Sequence, residues 1–162
     1  MRMLYRKLTK NDFNLICNWH KNHIKINFPD SQYKRQLFLD KVEYDMEADD
    51  AELFILNVSC ESCQQCNKKC AHRKDVGFLW LKILYDPYKE YDYCDLHYIH
   101  LAPEFRGKGY GKAMLKYADN WAKKKKAKEI RLGASVDNKI AIKIYEKAGY
   151  KLKRVLMEKK YD

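Results

Sequence analysis

The chain holds six glycines, and three of them fall within Arg106-Gly107-Lys108-Gly109-Tyr110-Gly111, just after an apolar run that ends at Leu101-Ala102-Pro103. Glycine is the residue least penalised where the backbone turns with positive φ or lies close against a ligand. Beyond it, Tyr110, Met114, Tyr117, Ala118 and Trp121 recur at helical spacing. The run therefore joins a strand to the start of a helix, where amide N–H groups and the helix dipole favour an anion such as a diphosphate. A tight connection without a ligand uses the same residues. The Walker order G-x-x-x-x-G-K-[S/T] is absent, and the spacing is not that of the G-x-G-x-x-G dinucleotide loop.

The remaining elements follow from periodicity and breakers. Leu4 to Leu8 is predicted as a strand, and Thr9-Lys10-Asn11-Asp12 as the cap of a helix whose apolar face carries Phe13, Ile16, Cys17 and Trp19. A second helix is expected from Ser31 to Met46. Strands are expected at Glu52–Val58, Val76–Leu84 and, after the break at Asp86-Pro87, Tyr93–Leu101. After the helix opening near Tyr110 come a strand from Glu129 to Val136, a capped helix from Asp137 to Ala148 stopped by Gly149, and a last strand from Tyr150 to Met157. No repeat, linker or low-complexity segment divides the chain. The expectation is one domain over residues 1–162, with a cysteine-rich insertion at about 59–73 between two strands able to pair as a hairpin.

A chain of 162 residues removes roughly 70% of its unfolded surface from water, enough for a core without staples. The first residues lack the apolar run of a secretory signal, and no window approaches the ~20 apolar residues of a membrane span. A soluble, cytoplasmic protein with no membrane partner is expected. The net charge of +11 favours an acidic partner such as a phosphate-bearing ligand. Its densest part, Lys123 to Lys126, lies at the far end of the helix from the glycine loop, at ~1.5 Å per residue, and reads as a solvated face. Interleaved aromatics or a reader motif for nucleic acid are missing, so no such partner is expected.

The segment Arg106-Gly107-Lys108-Gly109-Tyr110-Gly111 also matches Q/R-x-x-G-x-G/A, and Asn138, Ala141, Tyr145, Gly149 and Tyr150 match N-x-x-A-x-x-x-Y-x-x-x-G-F/Y. With these two motifs in order, the chain over roughly 94–150 resembles the GNAT superfamily of acyl-CoA-dependent N-acetyltransferases. The resemblance implies an α/β (α+β) fold with a mixed, mostly antiparallel central sheet flanked by helices, whose fourth and fifth strands splay apart. It implies acetyl-CoA as co-substrate, its pantetheine arm lying in the gap between Ile99-His100-Leu101 and Leu132 to Ser135. Arg106, Gly107, Lys108, Gly109, Tyr110 and Gly111 are then expected around the pyrophosphate, with Asn138, Ala141 and Tyr145 also on the cofactor side. The amide of Ile99 is expected to polarise the thioester carbonyl.

By the same resemblance Tyr145 stands where a general acid protonates the departing thiolate. Core packing is its other reading, since Ile140, Ala141, Ile144, Tyr145 and Ala148 form an apolar helical stripe. Asp95 matches a general-base position, and His97 is the alternative because it titrates nearer neutral pH. Strand alternation places both on one face with Ile99. The acceptor is expected to be an amine, of a small molecule or a protein, and its pocket to be open or completed by a second subunit in a homodimer.

Cys60, Cys63, Cys66 and Cys70, with His72 close by, match a compact zinc loop; free thiols or partial disulfides and, less readily, an iron–sulfur cluster are the alternatives. Such a site would stabilise or regulate rather than perform the chemistry. The rival to an enzyme is a non-catalytic module on the same fold that binds acyl-CoA and senses metal or redox state.

Overall fold

A computed structural model describes residues 3–28, 30–59, 73–159 and 161. Strand β1 (Met3–Lys7) leads through a short 3-10 turn at Lys10–Asp12 into α1 (Phe13–Asn27). Asp12 fixes that turn: its Oδ2 accepts from both the amide and the hydroxyl of Thr9, and Arg6 closes on its carboxylate at 2.7 Å. Helix α2 (Arg35–Glu47) begins four residues later than the expected Ser31, since Tyr33 instead sits edge-on against His20, ring centroids 5.7 Å apart.

Strands β2 (Ala51–Val58), β3 (Lys74–Asp86) and β4 (Tyr91–Leu101) form an antiparallel meander, with β1 on the outer edge of β2. The expected pairing of the strands that flank the cysteine segment is thus present, with Val58 opposite Lys74. The cysteines Cys60, Cys63, Cys66 and Cys70 lie outside the described residues. Helix α3 (Tyr110–Lys124) follows the glycine loop, then β5 (Ile130–Arg131) and α4 (Lys139–Lys147). The sheet order is β1-β2-β3-β4-β5, with β5 parallel to β4.

The sheet separates two apolar layers. On one face Phe54, Leu56, Leu79, Leu81 and Leu96 pack against Met114, Leu115 and Ala118 of α3. On the other, Leu53, Ile55, Phe78 and Trp80 pack against Ile16 and Cys17 of α1 and Phe38, Leu39 and Val42 of α2. The alternation of one strand supplies both cores, as a sheet covered on two faces requires.

Three expectations near the C-terminus and the helix ends change. The strand expected over Glu129–Val136 shrinks to Ile130–Arg131, because pairing with β4 stops at Asp95, next to a bulge that bends β4 away. The segment expected as a strand at Tyr150–Met157 carries no regular structure, and Leu152, Leu156 and Met157 are exposed. An edge of two residues on β5 gives an added strand almost no ladder to join. The capped helix expected from Asp137 starts at Lys139, one residue after its Asn138 cap.

Candidate functional site

The bulge in β4 organises the site. Trp80 of β3 faces Tyr98, and its neighbour Leu81 faces Leu96, leaving His97 as the extra residue. Cys94 and Leu96 therefore join the α3 core, while Tyr98 turns to the α1/α2 side. Asp95 and His97 share a face as expected, with Asp95 Oδ2 3.0 Å from His97 Nδ1. Ile99 does not share it: the extra residue shifts the alternation, and Ile99 and Leu101 pack into the α3 core instead. His97 lies edge-on to Trp80 at 4.6 Å, and the Trp80 Nε1 donates to the buried carboxylate of Asp45, 2.9 Å away. Lys82 closes on the same carboxylate at 2.8 Å. Neither Trp80 nor Asp45 was legible as a site residue, because both depend on which face of the sheet α2 covers.

The bulge also sets which main-chain groups face the β5 side. The Cys94 amide donates to Glu129 O at 2.9 Å, whereas the Ala102 amide turns inward to Val76 O at 2.8 Å. Strand alternation from Ala102 points the amides of Leu101 and Ile99 toward β5. No β5 residue pairs with β4 beyond Asp95 and Arg131, so from Ile99 to Leu101 that edge of β4 has no strand partner among the described residues.

Beyond that edge the glycine loop adopts the conformation its composition requires. Gly107 has φ +74° and Gly109 φ +83°, the left-handed region that side chains penalise, although an added Cβ meets no atom within 4 Å at either. Backbone conformation, not crowding, demands glycine here. Gly109 is also the N-terminal cap of α3, and no side chain caps that helix, so its first-turn amides point out toward the loop. The predicted cofactor residues divide by what they can offer. Tyr110 is 3% exposed with its ring in the core beside Phe105, leaving only main-chain groups for a ligand. Arg106 turns back so that its Nε donates to Leu101 O at 3.0 Å, tying loop to strand, and Lys108 lies 5.6 Å over the Phe105 ring.

On α4, Asn138 Oδ1 accepts from the Ala141 amide at 3.1 Å, so Asn138 caps the helix and the Ala141 amide is spent on that cap. Tyr145 packs toward the α3 core and lies 6.0 Å from the Tyr150 ring, and burial raises its phenol above the ordinary value. Tyr145 therefore approaches from one layer and the Asp95–His97 pair from the other. His100 stacks on Trp19 at 5.1 Å, and burial, with Arg106 and His23 nearby, lowers its imidazole to about 4. Its side chain belongs to the α1/α2 layer and only its backbone to that edge of β4.

Among the described residues no group of three or more His, Cys, Asp or Glu side chains could hold a metal. The described cysteines, Cys17 and Cys94, are buried free thiols. No helix among the described residues is long and apolar enough to cross a membrane.

A mostly antiparallel sheet whose fifth strand leaves the fourth after two residues, followed by a glycine-opened helix, is the arrangement that the resemblance to acyl-CoA-dependent acetyltransferases implies. Residues 26–150 match the Acetyltransferase (GNAT) family, and the chain belongs to it. It is 32% identical over 88 residues to an uncharacterized N-acetyltransferase of Methanocaldococcus jannaschii, covering 51% of this chain and 37% of that protein. It is 33% identical over 92 residues to a spermidine N(1)-acetyltransferase of Thermoplasma acidophilum, covering 54% of this chain and 53% of that protein. The match thus spans about half the length or less of these relatives. The structure of AAC(6')-Iy in complex with a bisubstrate analogue superposes with a TM-score of 0.72 at 20% identity over all of both chains, a likeness of fold.

Proposed function

We propose that this chain transfers an acetyl group from acetyl-CoA to a primary amine by direct attack in a ternary complex. The observation that carries the reading is the edge of β4 from Ile99 to Leu101, unpaired among the described residues and leading to the glycine loop, with titratable groups above and below it. The pantetheine arm lies along the free edge of β4, and the first-turn amides of α3 hold the pyrophosphate. The Ile99 amide donates to the thioester carbonyl oxygen as negative charge develops there. The amine nitrogen bonds to the carbonyl carbon, the carbon–sulfur bond breaks, and the leaving sulfur takes the proton of Tyr145 Oη. The nitrogen loses its proton to the Asp95–His97 pair, whose 3.0 Å contact lets the carboxylate stabilise an imidazolium.

Thiol release from acetyl-CoA, measured over a panel of amines, tests the reading against the non-catalytic alternative. Turnover that depends on an amine and falls in Asp95→Asn or His97→Ala with a changed pH–rate profile is expected. Amine-independent release alone, or profiles unchanged in both variants, overturns the assignment.

Three finer points belong to the same proposal. The protein acts in the cytoplasm. Exposed Leu152, Leu156 and Met157 support an acceptor side completed by a second copy, which light scattering should register as a dimer. The spacing of Cys60, Cys63, Cys66 and Cys70 supports one zinc per chain, and metal analysis of protein purified without chelator decides it.

A further inference from the structure

Asp95 stands between two cations. The register of the sheet sets Lys82 of β3 opposite it on one side and Arg131 of β5 opposite it on the other. Residues paired in this way share a face, with Cβ atoms about 4.5–5.5 Å apart across an antiparallel ladder, so a long cationic side chain there can reach the carboxylate. Each cation is engaged elsewhere. Lys82 Nζ closes on Asp45 of α2 at 2.8 Å, and Arg131 closes on Asp86 and Glu129 while its guanidinium lies 3.7 Å over the Tyr93 ring. Asp95 Oδ2 is left 3.0 Å from His97 Nδ1.

Desolvation decides where the cations go. The Asp45 side chain is 1% exposed and that of Asp86 4%, whereas that of Asp95 is 26% exposed. A carboxylate sealed from water keeps its charge only with a partner, and one that water reaches does not need it. A cation within reach of both therefore goes to the buried one. The other titratable groups of this layer add no charge near pH 7. Burial lowers the His20 and His100 imidazoles to about 4, lowers that of His23 as well, and raises the phenols of Tyr33 and Tyr98. The charge that His97 meets is thus set by the partners that Lys82 and Arg131 take.

We infer that Asp45 is a positioning residue for the Asp95–His97 pair: by holding Lys82 it reserves Asp95 for His97, and Asp86 with Glu129 does the same with Arg131 from the β5 side. For its catalytic consequence the inference rests on the acetyltransferase reading; the positioning itself is a matter of charge and register. With Asp45 neutral, Lys82 turns to its cross-strand neighbour, Asp95 stabilises an ammonium instead of an imidazolium, and His97 gives up its proton at lower pH. The weaker base takes the amine proton less readily, so turnover falls as well.

The test titrates the full chain by NMR, reading the ring signals of His97, with amine-dependent thiol release from acetyl-CoA measured beside it. Asp45→Asn keeps the acceptor for Trp80 and should lower the His97 midpoint by about one pH unit. The acidic limb of the pH–rate profile should move with it and plateau turnover fall several-fold, with the KM for acetyl-CoA unchanged. Adding Lys82→Met should return the midpoint, which a mere loss of packing would not allow. In an Asp95→Asn background Asp45→Asn should move nothing, since Lys82 acts through Asp95. Should Asp45→Asn not fold, Asp86→Asn with Glu129→Gln releases Arg131 and puts the same question, with Arg131→Met as the rescue. A midpoint unmoved in the releasing variant, a shift that the rescue does not reverse, or one that persists without Asp95 overturns the inference. Amine-dependent turnover with an unmoved midpoint overturns it and leaves the acetyltransferase reading standing; a rescued shift with no amine acetylated supports the positioning while that reading falls.

Discussion

Asp45→Ala removes the carboxylate that the buried Trp80 indole and the partly buried Lys82 ammonium share. Asp45 is 1% exposed, accepts from Trp80 Nε1 at 2.9 Å and pairs with Lys82 Nζ at 2.8 Å, and the Lys82 side chain is 16% exposed. Truncation leaves a partly buried ammonium without its counter-charge, a loss of up to about 3–5 kcal/mol. The orphaned indole N–H adds about 1 kcal/mol. In a domain of this size each kcal/mol lowers Tm by about 2–4 °C, so a drop of roughly 8–24 °C is expected in thermal unfolding followed by circular dichroism. Because a buried ion pair and an apolar pair of like volume are often of similar worth, Asp45→Leu with Lys82→Met should recover much of the loss. A single-variant loss below about 1 kcal/mol, or a double variant no more stable than Asp45→Ala, refutes the reasoning. Asp45→Asn keeps an acceptor for Trp80 and gives a folded fallback. Since Trp80 packs against His97, its pH–rate profile should move even where its stability is nearly that of the parent.

Other consequences are as direct. Gly109→Val forces a β-branched residue to φ +83°, costing about 1–3 kcal/mol and weakening coenzyme A binding by calorimetry; unchanged affinity refutes the role of the loop. Tyr145→Phe should lower kcat by about 100-fold with the KM for acetyl-CoA retained, and a fall under about threefold leaves Tyr145 a packing residue. His20 and His100 fall from their ordinary value of 6.5 to about 4, chiefly through burial. Below pH 6.5 the unfolded chain therefore takes up protons that the folded chain refuses. Stability is complete above that pH and declines toward pH 4, by about 1–2 kcal/mol per ring after allowance for partial exposure. Urea unfolding at pH 5 and 7.5 should show the decline, and His20→Phe should shrink it.

The sequence by itself determined the glycine-opened helix, the antiparallel run of strands and the two spaced motifs, because each rests on local chemistry. Glycine at positive φ, an asparagine that caps its own helix and alternating apolar residues speak within a few positions of themselves. Only the tertiary structure decided which side chains meet. The bulge at His97 arises from register against β3, and no local pattern announces it; it moved Ile99 to the opposite face and brought Tyr98 and His100 into the α1/α2 layer. The strand expected after Gly149 failed for the same kind of reason, since β propensity in Leu152 to Met157 needs a neighbouring ladder and β5 offers two residues. The rings of His20, Tyr33 and Tyr98 are far apart in the chain, and three elements had to pack before they could stand as one cluster.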